Sequence, residues 1–240
     1  EVKAGTYVFT EPLSVFGVAN SITENPPPDT LTTLTLPEGF TVKEFATIAE
    51  GVLTDFDRAE FVRLTGPYEG FLFPDTYHVP VDYTPKELAD LLAETYKKKT
   101  THLEDEWQKS DMSQEEVVTL ASVVEREANT EESMAIVTSI LLRRLEIGMA
   151  LQVDASMEYV LGKPLNELTA EDLQIDTPYN TYLYPGLPPT PIGNPGLQSI
   201  EAVLYPLDTE YLYYLTDENG EFHYARTFDE HKQNIAKYLK

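Results

Sequence analysis

The amino-acid sequence predicts an α+β fold: a small β-rich opening, a helical middle, and a proline- and glycine-rich end closed by strands and a last helix. Three observations predict it. Residues 5–35 hold short β-branched and aromatic runs, TYVF and LTTLTL. Between Thr41 and Ile147, apolar residues recur at helical spacing behind capping signals. After Gly148, prolines at 178, 185, 188, 189, 191, 195 and 206 interrupt any long element.

The opening strands are separated by Asn25-Pro26-Pro27-Pro28-Asp29, a stretch whose prolines cannot donate to a ladder. In LTLPEGFTVKEFATIAEGV, Pro37-Glu38-Gly39 makes a turn and Thr41 caps a helix carrying Val42, Phe45, Ala46 and Ile48 on one stripe. A second helix is predicted from Tyr83 to about Trp107, since Thr84-Pro85-Lys86-Glu87 combines an N-cap with proline at the first helical position. Ser113 and Glu116 form a capping box for a third, running through VVTLASVVEREA. A fourth spans Glu131 to about Ile147 and ends at Gly148 after Arg143 and Arg144. Beyond it the expectation is loops and short strands, then a final helix from Thr227 to Leu239, with no internal repeat.

Composition narrows the function. The 240 residues are 42% apolar and 24% charged, which suits a globular chain with a sizeable core. With 17 basic against 41 acidic residues the net charge is −24, so nucleic acid and anionic membrane faces are repelled while a neutral glycan is not. The absence of cysteine excludes disulfides and thiolate zinc sites. The chain has no apolar run near the ~20 residues a membrane helix needs. EVKAGTYVFT lacks the order of a signal peptide and reads as the inside of a strand, so a longer parent chain is expected. His78, His102, His223 and His231 show no ligand spacing, and HExxH, DxDxDG, GxSxG, Walker and GxGxxG motifs are all missing. What remains is carboxylate chemistry, with neither cofactor nor metal.

The sharpest candidate is Ala121-Ser122-Val123-Val124-Glu125-Arg126-Glu127-Ala128. At about 100° per residue, Val117, Leu120, Ala121, Val124 and Ala128 make one apolar face, and Glu125 and Glu127 project from its two margins. A half-buried carboxyl can keep its proton near neutral pH, as an acid catalyst of glycoside cleavage must. The plain alternative is two solvated carboxylates, and periodicity does not separate them. Glu69-Gly70-Phe71-Leu72-Phe73-Pro74-Asp75-Thr76-Tyr77 mixes rings with acids, a combination that suits sugars but equally a buried aromatic strand with a turn. Pro178-Tyr179-Asn180-Thr181-Tyr182 and the stiff loop from Gly186 to Gly196 can hold polar groups over a cleft or simply connect elements.

Eight segments, in order, resemble the YceG/MltG family of endolytic murein transglycosylases. They are KAGTY at 3–7, LPEGFTVKEFA at 36–46, EGFLFPDTY at 69–77, LASVVEREA at 120–128, LLRRLEIGMALQVDASMEYVLG at 141–162, TPYNTY at 177–182, GLPPTPIGNPG at 186–196 and the closing YLYYLTDENGEFHYARTFDEH. The resemblance implies a membrane-anchored protein whose single N-terminal transmembrane helix is absent from this chain. It further implies a LysM-like module, placed at 1–66, and a mixed α+β catalytic domain at 67–240, both outside the cytoplasmic membrane. Such enzymes cut the β-1,4 bond between N-acetylmuramic acid and N-acetylglucosamine in nascent peptidoglycan strands without water, leaving 1,6-anhydromuramoyl ends and so terminating elongation.

By the same resemblance the catalytic acid is Glu127, the second acid of a VEKE-like motif. Glu125, Glu69, Asp75, Gln152, Asp154, Tyr179, Asn180 and Tyr182 are expected to line the cleft. Thr190 stands where the family often has glycine and is expected to narrow it. Implied partners are glycan strands and cell-wall synthases. Two alternatives stay open: a non-catalytic glycan-binding scaffold for those synthases, and a hydrolase in which Glu125 or Asp154 activates water.

Overall fold

A computed structural model describes residues 13–23 and 31–239 of the protein. The architecture is mixed α+β, with two separate two-stranded antiparallel sheets among the described residues. The opening differs from the expected run of strands. Among the described residues, Val15–Thr23 form a helix, α1, within this opening, and LTTLTL supplies a strand, Leu31–Thr35 (β1). The Ser14 hydroxyl accepts the Gly17 N–H, a local bond that starts a helical turn. TYVF and Asn25-Pro26-Pro27-Pro28-Asp29 lie outside the described residues.

β1 pairs with β2 (Thr76–Pro80) so that Leu34 faces Tyr77 and Thr32 faces Val79. Alternation puts Leu34, Tyr77 and Val79 on the buried face, while Thr35 and Thr76 are hydrogen-bonded at 3.1 Å on the outer one. Against the inner face packs α2 (Val42–Val52), whose Thr41–Glu44 capping box is formed and whose Val42, Phe45, Ala46 and Ala49 are buried. Phe61 of α3 (Arg58–Thr65) and Leu88 and Leu92 of α4 (Pro85–Thr100) complete this first core. β2 and α4, beyond residue 66, therefore pack with the elements before it.

The helix expected from Tyr83 to Trp107 is divided. α4 ends at Thr100, a 3-10 turn follows, and α5 covers Glu104–Lys109. The hydroxyls of Thr100 and Thr101 bond back to the carbonyls of Tyr96 and Lys97, and the bend they accompany seats Leu103 in the second core.

That core is built on α6 (Gln114–Glu127), capped as expected by Ser113 and Glu116 and buried continuously from Val117 to Val124. α7 (Glu131–Glu146) lies beside it and stops at Gly148, whose φ of +68° continues no right-handed helix. The region after Gly148 holds two helices where loops and strands were expected, α8 (Ala155–Leu161) and α9 (Leu197–Leu204). Both are short, and neither begins with a side-chain capping bond: the N-cap of α9 is glycine, and Asp154 before α8 accepts from Tyr182 instead. β3 (Tyr213–Thr216) and β4 (Phe222–Ala225) form a hairpin against which α10 (Phe228–Tyr238) packs.

Asn194 joins the two cores. Its Oδ1 accepts from the N–H groups of Gly70 and Leu72, its Nδ2 donates to Phe40 O and Glu69, and its backbone pairs with Gly39 and Phe40. The chains run so close here that a Cβ on Gly193 would collide with the Gly39 carbonyl oxygen. No helix among the described residues is long and apolar enough to cross a membrane.

Candidate active site

Glu127 is the last residue of α6, half-buried, with its carboxylate turned toward the β3–β4 hairpin. Its Oε2 accepts a hydrogen bond from the Tyr214 hydroxyl at 2.8 Å. Loss of solvation pushes its pKa up to about 7, and the charges of Asp154 and Glu158 add to the rise; Tyr214 and Arg144 oppose it. Its place at a helix C-terminus also disfavours the anion. Glu127 is thus a sheltered carboxyl that holds its proton more tightly than a solvated one. Nothing in the sequence periodicity had set it apart from Glu125.

Arg144, on α7, organises this neighbourhood. It is 5% exposed, donates from Nε to Leu212 O at 2.8 Å and from Nη1 to Leu151 O, and its guanidinium lies 5.6 and 5.9 Å from the ring centres of Tyr213 and Tyr214. One buried cation thus ties together the loop before α8 and the start of β3.

The loop before α8 brings in Asp154, whose Oδ1 accepts from the Tyr182 hydroxyl at 2.6 Å. Burial and the adjacent Asp154 raise the Tyr182 pKa, so its phenol remains a donor. Gln152 has an exposed side chain and a left-handed backbone, φ +53°, costly for a residue with a Cβ. Its N–H bonds Thr181 O, and Val153 N–H bonds the Thr181 hydroxyl, which holds the 152–154 and 180–182 segments together. Asn180 is fully buried: Nδ2 donates to Leu173 O and Ile175 O, and Oδ1 accepts from Tyr182 N–H. That amide braces the loop that presents Tyr182.

The remaining expected residues fall into two other places. Glu69 is 8% exposed and accepts from Val42 N–H at the start of α2 and from Asn194 Nδ2, with burial pushing its pKa up to about 7. Beside it, the Tyr159 and Tyr179 rings lie 5.5 Å apart, and Tyr179 shares a 2.7 Å hydrogen bond with Thr190. Thr190 therefore anchors a tyrosine, a bond that glycine would not make. A cleft of about 560 Å³ runs past Lys43, Glu69, Arg126, Glu158 and Tyr159. It passes one residue from Glu127, and Arg126 and Glu158 pair across it at 2.6 Å.

Glu125 points elsewhere. Its Oε2 accepts from Gly196 N–H at 2.9 Å and from the Ser199 hydroxyl, so it holds the start of α9. Nearby Glu38 has a raised pKa, first from partial burial and then from the charges of Glu125 and Asp75. Asp75 itself is held below its ordinary value: partial burial would raise it, but Lys99 at 3.0 Å and the Thr76 N–H outweigh that. The structure thus brings Asp154 and Tyr182 to Glu127, and places Glu125 and Asp75 apart.

Sequence reasoning missed Tyr214, Arg144 and Asn194 as site-building residues. Tyr214 lies 87 positions from Glu127, and its one signal was membership of the closing YLYYLT block. One possible cation grouping occurs among the described residues, Asp217, Glu221 and His223, with ligand atoms within 4.8 Å of one another. Asp217 already accepts there from the N–H groups of Asn219 and Glu221 and pairs with His223 at 2.9 Å, which locks the β3–β4 turn.

Comparison with known proteins adds an independent line. The YceG-like family model matches residues 1–237. The endolytic murein transglycosylase of Bacillus subtilis (strain 168) is 38% identical over 176 residues, covering 72% of this chain and 48% of that one. That of Streptococcus pneumoniae serotype 2 is 26% identical over the whole of this chain and 51% of its own length. The chain therefore spans about half the length of these curated relatives. A putative YceG-like protein from Listeria monocytogenes, solved by crystallography, superposes with a TM-score of 0.77 at 28% identity, over 84% of this chain and 75% of that one.

Proposed function

Because the chain belongs to the YceG-like family, we propose that it is the extracytoplasmic part of an endolytic murein transglycosylase in which Glu127 makes the cut. The observation that carries this reading is the Glu127 carboxyl itself, half-buried with a pKa of about 7 and one oxygen fixed by Tyr214. Such a group holds a proton at neutral pH and can give it up and take it back.

In the proposed reaction Glu127 protonates the glycosidic oxygen as the bond to the muramoyl C1 breaks. The carboxylate left behind then accepts the proton of the muramoyl C6 hydroxyl, whose oxygen closes onto C1. No water enters, and a second nucleophilic carboxylate is not required. Asp154 and Tyr182 line the cut site, Gln152 sits at its exposed edge, and Glu69, Tyr179 and Tyr159 border the neighbouring cleft. Asn180 braces the loop behind Tyr182, Glu125 acts at a distance by holding the start of α9, and Asp75 serves further out on the first core. The substrate is nascent peptidoglycan, with cell-wall synthases as neighbours, and the parent protein is held at the membrane by an N-terminal anchor. A LysM-like unit, expected over 1–66, grips the strand, and 67–240 cuts it; the packing of β2 and α4 with the first core extends the gripping unit's support past that line.

The test is Glu127→Gln against glycan strands. Wild type is expected to release anhydro-ended fragments, and the variant to do so at least about 100-fold more slowly. Equal release by the two proteins defeats the reading. Fragments about 18 mass units heavier than the anhydro products would show that water is the nucleophile.

A further inference from the structure

Glu127 has two carboxyl oxygens, and they differ. Oε2 accepts from Tyr214 at 2.8 Å, whereas Oε1 has no hydrogen bond among the described residues. Tyr214 is held by its neighbours. Arg144 fixes the backbone two residues earlier through Leu212 O, and its guanidinium lies 5.9 Å from the tyrosine ring centre. Phe222, on the neighbouring strand, lies 6.4 Å from the same ring. The hydroxyl is therefore aimed by the hairpin. Burial, and then the charge of Glu127, raise the phenol pKa well above its usual value, so Tyr214 is a donor at neutral pH.

We infer that Tyr214 is a positioning residue that engages Oε2 throughout the reaction and so confines the mobile proton to Oε1. The inference rests on the transglycosylase reading above. In the first half the Oε1–H bond breaks, its proton forms a bond to the departing glycosidic oxygen, and the C1–O bond opens. In the second half the C6 hydroxyl proton passes to Oε1 while the C6 oxygen bonds to C1. Glu127 ends protonated as it began, and nothing else is consumed. As neutral acid or as carboxylate, Oε2 can accept from Tyr214, so the carboxyl does not rotate between the two transfers.

Tyr214→Phe in the 240-residue chain keeps the ring and removes the donor. Release of anhydro ends is expected to fall about 10- to 100-fold. The Glu127 carboxyl, followed by carbon-13 NMR without substrate, is expected to titrate at higher pH than in wild type, because a bond to its charged form is gone. The alkaline limb of the pH–rate profile should move up with it. Slower turnover with an unmoved titration means that the ring only props the hairpin, and overturns the proposal; so does an unchanged turnover. Should the Phe variant fail to fold, 3-fluorotyrosine at position 214 preserves the packing and donates more strongly. Its expected effect is a lower titration, and no shift is again fatal. A wild-type chain that releases no anhydro ends defeats the transglycosylase reading and this role with it, whereas an active wild type with an unmoved titration defeats Tyr214 alone.

Discussion

Glu127 carries a cost in stability. Its folded pKa of about 7 lies above the ordinary carboxylate value of 4.5. Between those values the folded protein keeps a proton that the unfolded chain has released. Stability therefore falls as pH rises from about 4.5 to about 7, and stays at the lower level above that. Glu69, with the same raised value, acts with the same sign. Glu127→Gln removes one of the two costs while its amide oxygen can still accept from Tyr214. The variant should melt higher than wild type at pH 8, by about 1–2 kcal/mol or roughly 2–8 °C, and show no gain near pH 4.5. Scanning calorimetry at the two pH values checks this, and an equal shift at both would contradict it. A stabilised but inactive variant is the pattern expected where a fold is strained to serve chemistry.

At the scale of elements, α9 shows how much of this fold is set from a distance. Its N-cap, Gly196, has no side chain to offer, and the missing acceptor comes from Glu125 on α6. A carboxylate there also meets the positive end of the α9 backbone dipole. Glu125→Ala should cost about 1–3 kcal/mol by stranding the Gly196 N–H and the Ser199 hydroxyl, and Glu125→Gln should cost less, since an amide oxygen still accepts. Urea unfolding midpoints rank the two; an Ala variant as stable as wild type would remove this role. The contrast explains what was legible. The boxes at Thr41, Thr84 and Ser113 are complete within four residues of sequence, and all three helices begin where they announce. α9 borrows its cap from 71 positions away, and β1 finds β2 some 45 positions on, so neither pairing leaves a local trace. The division of α4 from α5 escaped notice because threonines turning back on their own carbonyls look, in sequence, like ordinary helix residues.

Across the whole molecule, Asn194 binds the two cores to one another. Asn194→Ala leaves the buried N–H groups of Gly70 and Leu72 without their acceptor, a loss of about 3 kcal/mol, or roughly 6–12 °C in melting temperature. Both cores should still melt together in one calorimetric transition for the wild type, and two resolved transitions would contradict their coupling. The candidate site was legible as a set of motifs, because Glu127, Asp154 and Tyr182 each sit in a recognisable block. Its assembly was not, since Arg144 reads as an ordinary basic residue ending a helix and becomes an organiser only once Leu151, Leu212 and Tyr214 surround it. At Gly193 the geometry is less forgiving still. Most added methyl groups are absorbed by a neighbouring side chain swinging aside, but the neighbour here is main chain, the carbonyl of Gly39. A single extra carbon would act as a wedge driven between two halves, with no soft part to take the strain.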